Sequence, residues 1–517
     1  MIFLSDDCLS LYLRMLRKIR IILAVAAIVL CTLLFLDFSG FMTKWAGWMA
    51  KIQFLPAVLA ANFGVVIVLL LLTLIFGRVY CSVICPLGIF QDGISSLSGR
   101  RKGKSARFRW SGEKELLRYG TLAIFFIALV CGVNVVVALL APYSAYGRIV
   151  QNILGPVWEW GNNLGAFIAG KSGSVAFAHK EVWLRSLPTF IIAVATLVAV
   201  FILAWRNGRT YCNTICPVGT VLSFFSRFSI FRPVIDSSKC RNCHLCEHKC
   251  KASCINLESH TVDYSRCVDC FDCIDSCKFG ALHYRPFWKS GSNAKAESGA
   301  EGRPENTDTG RRAFLVSSLV AAGGLAVKAQ EKKVDGGYAA VTGKKAPERT
   351  SPLVPFGAVS LKHFHRHCTG CQLCVSQCPN DVLRPSMSLD RLMQPEMSYE
   401  RGWCRPECVK CSEVCPAGAI LEITPEEKTE IHIGTASVDY DLCVVNRDGV
   451  KCGNCARHCP AGAIKMVRKD PDDENSLWIP TVLEDRCIGC GACEYLCPSR
   501  PYSAIHVNGR IEHIDNR

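Results

Sequence analysis

Twenty-four of the chain's 32 cysteines fall into six closely spaced sets, and that spacing is what iron–sulfur ligation requires. From Cys240 the chain reads CRNCHLCEHKC, and from Cys267 it reads CVDCFDCIDSC, both of the form C-x-x-C-x-x-C-x-x-x-C. Three thiolates on one tight loop reach three iron corners of a cluster, while the fourth, one turn further on, ligates the neighbouring cluster. Crossed ligation follows: Cys240, Cys243 and Cys246 with Cys277, and Cys267, Cys270 and Cys273 with Cys250. Four more motifs come later: Cys368, Cys371, Cys374 and Cys378; Cys404, Cys408, Cys411 and Cys415; Cys443, Cys452, Cys455 and Cys459; and Cys487, Cys490, Cys493 and Cys497. Together they predict about six 4Fe-4S clusters with these 24 cysteines as iron ligands. A zinc site would use four ligands at looser spacing. The string CRNCH also matches c-type haem attachment through His244, but it is embedded in the longer cluster motif. Of the last four motifs, the outer two are regular and the inner two stretched. The first is therefore expected to pair with the fourth, and the second with the third.

Other residues near these motifs invite chemistry. Cys254 follows Cys250 by four positions and reads as a free neighbour of a cluster whose ligands are already complete. Lys251 and Lys278 stand directly after the fourth cysteine of each middle motif, where a nearby cation would favour the reduced cluster and raise its potential. His363, His365 and His367 precede Cys368 at alternate positions and read as packing or surface residues rather than ligands. An internal repeat pairs GRVYCSVICPLG from Gly77 with GRTYCNTICPVG from Gly208. One helical turn separates the cysteines of each C-x-x-x-C-P element, so Cys81, Cys85, Cys212 and Cys216 are expected to face one another, as an extra metal site or as redox-active thiols.

The elements that must position these residues begin in lipid. Half of the composition is hydrophobic, and stretches 19–36, 57–76, 119–140 and 189–205 each approach the length of a bilayer span. Arg14, Arg17, Lys18 and Arg20 precede the first, and six Lys or Arg between 100 and 109 separate the second from the third. The positive-inside bias then puts the N-terminus and the residues after 205 in the cytoplasm. Met15 opens a basic-then-apolar run and is an alternative start. Trp45 and Trp48 mark an interfacial belt. The formal charge of +15 suggests nucleic acid, but each cluster with its four thiolates adds about −2, so six offset most of the excess, and nucleic acid is not an expected partner. The expected architecture is mixed: a four-helix transmembrane domain (1–232), then α+β ferredoxin domains of the bacterial type. These are a two-cluster unit (233–285) and a four-cluster unit (356–517), joined by a polar linker (286–355). Within that linker, TGRRAFLVSSLVAAGGLAVKAQ has the paired arginines and short apolar run of a twin-arginine export signal.

With these residues in view, positions 1–285 resemble the NapH family of membrane polyferredoxins, through the spans, the two GR-x-YC-x-x-ICP elements and the two middle motifs. From Arg311 the chain resembles the NapG/MauM four-cluster ferredoxins, as if two partner subunits were fused. The resemblance implies a relay in the cytoplasmic membrane that takes electrons from the quinol pool to a periplasmic reductase, such as a nitrate reductase, or to a cytochrome. The middle unit would then be cytoplasmic and the C-terminal unit periplasmic. The alternative is an electron-donating maturation factor for a metalloenzyme. No nucleotide loop, molybdopterin motif or nucleophile triad is evident, so terminal chemistry belongs to a partner and any enzymatic role is that of a quinol dehydrogenase subunit.

Overall fold

The computed structural model describes residues 6–37, 40–98, 108–171, 179–289 and 343–516. The twin-arginine-like segment lies outside them. No Gly or Pro interrupts Asp6–Leu36, and it forms one continuous helix. Leu187–Asn207 does the same behind a proline in its first turn, a position where no backbone N–H is needed. Both are long and apolar enough to cross a membrane.

The other two expected spans are broken. In 57–76, Ala61 adopts a left-handed conformation (φ 52°) and the Asn62 side chain accepts from the Val65 N–H, so a new helix starts at Phe63–Phe76. In 119–140, Gly132 (φ 75°) ends Glu115–Cys131 and a separate short helix runs over Asn134–Leu140. Local capping thus outweighs apolar continuity. Between the third and fourth expected spans the chain forms helices over Pro142–Ile149 and Gly155–Lys171. Ile22, Val25, Ile67, Phe126, Val130 and Ile191 all point outward, leaving the helical domain with an apolar exterior.

Each GR element turns the chain sharply after a helix, with Gly77 at φ 75° and Gly208 at φ 65°. Each C-x-x-x-C-P element ends at a proline that opens the next helix, Pro86–Ser98 or Pro217–Ser226. Asp92 on the first of these is buried and meets three cations: Arg209 at 2.7 Å, Arg20 at 2.8 Å and Lys251 at 3.8 Å. They hold its carboxyl well below the usual range despite burial.

Two ferredoxin units of small antiparallel ladders follow. In the middle unit Phe231–Ile235 pairs with Leu282–Pro286. In the C-terminal unit Ile431–Val438 pairs with Ile505–Asp515, and Ile464–Arg468 with Trp478–Val482. The units dock at opposite ends of the first helix. Arg17 pairs with Asp272 at 2.8 Å and Asp275 at 2.7 Å, whereas Gln377 Nε2 donates to the carbonyls of Leu34 (3.0 Å) and Asp37 (2.6 Å). At 1.5 Å per residue, Arg17 and Leu34 are about 26 Å apart along the axis.

Two outcomes follow from this packing. Asp92→Asn leaves the buried Arg20 and Arg209 short of their shared anion, and should cost about 3–5 kcal/mol, read as loss of thermal stability in detergent. His513 has both ring nitrogens buried without a partner, and burial lowers its pKa from 6.5 to about 4. The folded chain keeps it neutral while the unfolded chain protonates it, so stability falls as pH drops from 6.5 towards 4, by at most about 3 kcal/mol. Thermal unfolding of His513→Phe across that window should be flatter than wild type.

Candidate iron–sulfur centres

The loop carrying each regular motif has an unusual backbone. The residues on either side of the central cysteine are left-handed: Asn242 and His244 around Cys243, Asp269 and Phe271 around Cys270, Gly370 and Gln372 around Cys371, Gly489 and Gly491 around Cys490. Left-handed residues turn successive N–H groups inward, forming a nest suited to an anionic iron–sulfur centre. A short helix then carries the third cysteine, as in Leu245–Lys249 and Ala492–Leu496.

Folding gathers the thiols into groups of four. Cys246 lies within electrostatic reach of Cys240, Cys243 and Cys277, and Cys273 within reach of Cys267, Cys270 and Cys250, the crossed grouping expected for the middle unit. In the C-terminal unit the expected pairing of first with fourth and second with third motif is overturned. Cys415 joins Cys368, Cys371 and Cys374, and Cys378 joins Cys404, Cys408 and Cys411. Likewise Cys497 joins Cys443, Cys452 and Cys455, and Cys459 joins Cys487, Cys490 and Cys493. Spacing regularity reflects how each loop is wrapped, whereas pairing depends on which short helices pack together, here Leu373–Gln377 against Lys410–Val414.

These groups fit a cluster. Burial, then neighbouring thiols, pushes Cys273, Cys374 and Cys493 far above the ordinary thiol range, because several thiolates cannot share an apolar pocket without positive charge among them. An iron–sulfur core supplies that charge. Backbone N–H groups already point at sulfur, from Ala281 to Cys277 (3.3 Å), Ile420 to Cys415 (3.4 Å) and Ala463 to Cys459 (3.2 Å). Among the described residues, no three His, Cys, Asp or Glu side chains are arranged to hold a single metal ion.

Neighbouring side chains take sharper roles than the sequence indicated. Cys254 is buried with its sulfur 3.4 Å from Cys250, in a cavity also lined by Cys267, Cys270 and Cys273. Lys251 is tied to Asp272 at 2.8 Å and Lys278 is exposed, so neither is an unpaired buried cation of the kind that would raise a potential. That role falls instead to Lys428, which the sequence reading passed over because it lies 13 residues beyond its motif. Its buried Nζ donates to Cys404 Sγ (3.2 Å) and to the carbonyls of Arg405 and Cys408 (2.6 Å each). His363 stacks on His367, with ring centroids 4.2 Å apart, and His365 bonds Gln394, so all three are packing residues.

The membrane-side repeat closes on itself with approximate two-fold symmetry. Arg78 Nη2 donates to the Cys212 carbonyl (3.2 Å) and lies 3.8 Å from Cys81 Sγ, while Arg209 Nη1 donates to the Cys81 carbonyl (2.6 Å). A Cβ on Gly88 would strike the Cys81 carbonyl and Arg209, and one on Gly219 the Cys212 carbonyl and Arg78. Only glycine fits the twelfth position of each repeat. Gln91 Nε2 donates to Cys212 Sγ and the Gly219 N–H to Cys216 Sγ, both at 3.3 Å. All four thiols are buried, and Cys216 lies within electrostatic reach of the other three.

Comparison with known proteins places this geometry among iron–sulfur carriers. A family described as "4Fe-4S binding domain" matches residues 59–105 and 187–234, and one described as "4Fe-4S dicluster domain" matches residues 450–500. The dicluster match takes in the fourth motif and all of the third except Cys443, in agreement with their pairing. The ferredoxin-type protein NapG of Escherichia coli is 32% identical over 203 residues, which are 38% of this chain and 83% of that protein. The methylamine utilization ferredoxin-type protein MauM of Methylobacillus flagellatus is 31% identical over 166 residues, 31% of this chain and 70% of that protein.

Removing the Lys428 cation should make the centre beside it harder to reduce. At an effective dielectric near 20 the expected fall in potential for Lys428→Met is on the order of 100 mV, read by EPR-monitored redox titration.

Proposed function

Because the chain belongs to the family of ferredoxin-type proteins that includes NapG and MauM, we propose that it is a membrane-embedded electron relay. It takes electrons from quinol and passes them through six 4Fe-4S centres to a partner reductase or cytochrome. The N-terminal part acts as a NapH-like membrane subunit fused to a NapG-like one. The clusters supply one-electron redox chemistry, while the 24 cysteines hold them and the apolar packing excludes water.

The observation that carries this reading is the continuity of the thiol groups. Cys273 lies near Cys246, Cys374 near Cys411, and the Cys404 N–H donates to the Cys490 carbonyl at 3.0 Å. The C-terminal groups therefore follow one another in a line, from the group of Cys371 beside the helical domain to the group of Cys452 at the far end. A Cβ on Gly147 would meet the Cys371 carbonyl, so the near end abuts the helices directly. Membrane embedding is supported by the two long apolar helices and the outward-facing apolar side chains. Trp45 and Trp48, both exposed beyond the end of the first helix, fit an interfacial belt. Docking of the ferredoxin units at opposite ends of the first helix supports a cytoplasmic middle unit and a periplasmic C-terminal unit.

Membranes holding the anaerobically prepared chain should show quinol-dependent bleaching of cluster absorbance within seconds, and about 24 irons per chain should be bound to the six sets. Slow or absent reduction with full iron would instead favour the maturation-factor role. Protease added to spheroplasts should cut beyond residue 356 and spare 233–285.

A further inference from the structure

We propose that Cys81, Cys85, Cys212 and Cys216 together hold a further iron–sulfur cluster inside the helical domain, which carries single electrons between the middle and C-terminal ferredoxin units. This rests on reading those units as electron carriers, and it assigns a redox role to the one group of cysteines that the six sets leave over.

Four observations converge on it. The first is the donor set itself. Four buried thiols face one another across a two-fold repeat, and each repeat's arginine is anchored on the other's backbone. Pairwise disulfides or inert core cysteines would not require that cross-anchoring, nor the glycines that make room for it. The second is hydrogen bonding to sulfur of the kind seen at the ferredoxin groups. Gly219 and Gln91 direct N–H groups at sulfur, and the fully buried guanidinium groups of Arg78 and Arg209 provide positive charge beside thiolates. The third is the family match. Residues 59–105 and 187–234 match a 4Fe-4S binding domain, and the cysteines within them are these four alone.

The fourth is position. The ferredoxin units dock at opposite ends of the first helix, on residues about 26 Å apart along its axis, a separation better crossed in two electron steps than in one. The four thiols lie between. On one side, Arg209 joins Asp92, which also meets Lys251 next to the middle unit's Cys250, and the Arg209 N–H donates to the Lys251 carbonyl at 2.8 Å. On the other side, Tyr80 is buried within reach of Cys85, Cys81 and Cys216. Tyr143 is buried within reach of both Tyr80 and the Cys371 and Cys415 thiols of the C-terminal unit. The quartet is thus joined to the middle unit through Arg209, Asp92 and Lys251, and lies near the C-terminal unit through Tyr80 and Tyr143. Each transfer moves one electron: a cluster in the donor unit is oxidised as this centre is reduced, and no bond is made or broken. The centre does not match a preformed single-ion site, but neither does any of the six ferredoxin groups.

The test uses the full chain, prepared anaerobically. Wild type should carry about 28 irons against about 24 for six clusters alone, and Cys81→Ser/Cys212→Ser should lose about four, together with one component of the Mössbauer and EPR spectra. In sealed proteoliposomes, a membrane-impermeant reductant outside should reduce the clusters of both units in wild type, and only those of the outward-facing unit in the variant. Wild type with the full ferredoxin complement and no excess iron overturns the proposal, whether or not the variant folds. So does a variant that loses no iron, or alkylation showing a disulfide within the quartet. Missing ferredoxin iron would be a separate result, one that removes the electron-carrier reading underneath.

Discussion

Thiolates repel one another, and burying several in one pocket costs so much that none of them ionises unless positive charge enters among them. Most of this molecule can be read as a response to that constraint. The cysteine loops bend left-handed to point N–H dipoles inward, Lys428 is buried against Cys404, and Arg78 and Arg209 lie beside the thiols of the helical domain. The ladders of the ferredoxin units are two strands wide and their cluster-loop helices about a turn long, so apolar side chains such as Phe356, Phe364, Ile433 and Val507 pack together with the cysteine loops to form the core.

The same electrostatics joins the domains. Asp92 gathers Arg20 from the first helix, Arg209 from the second repeat and Lys251 from the middle ferredoxin unit, so three separate stretches of chain share one buried carboxylate. Arg78 does the complementary work with neutral acceptors, donating to Asn213 at 2.9 Å and to the Ser265 carbonyl at 3.0 Å. Gly77 lies against Asp269 and Gly208 against Lys251, leaving no room for a side chain at either seam. The middle unit is therefore fitted onto the two GR elements. The C-terminal unit is attached at the other end through uncharged contacts, such as Gln377 on the Leu34 and Asp37 carbonyls and Asn152 on Gln372 at 2.9 Å, and through ion pairs, such as Arg401 with Glu181 at 3.0 Å and Arg185 with Asp381 at 3.4 Å.

Residue type and short-range spacing alone mark out the six cysteine sets and the duplicated C-x-x-x-C-P element. A cluster loop is a local object, and three of the four cysteines in each group lie within a dozen or so residues of one another. Apolar length was a poorer guide. It marked four spans, yet Ala61 with Asn62 and Gly132 break two of them, because a cap or a left-handed residue acts on one turn and leaves mean hydropathy unchanged.

What lies beyond the reach of spacing was settled by packing. Which fourth cysteine completes which group, that Lys251 is neutralised while Lys428 is not, and that the arginines of the two repeats cross over all depend on residues far apart in the chain. Sequence determined the kind of chemistry, because a thiol's reactivity belongs to the side chain. Tertiary structure decided the order in which those thiols meet, because proximity between distant segments depends on how helices and loops close around one another and not on any residue alone.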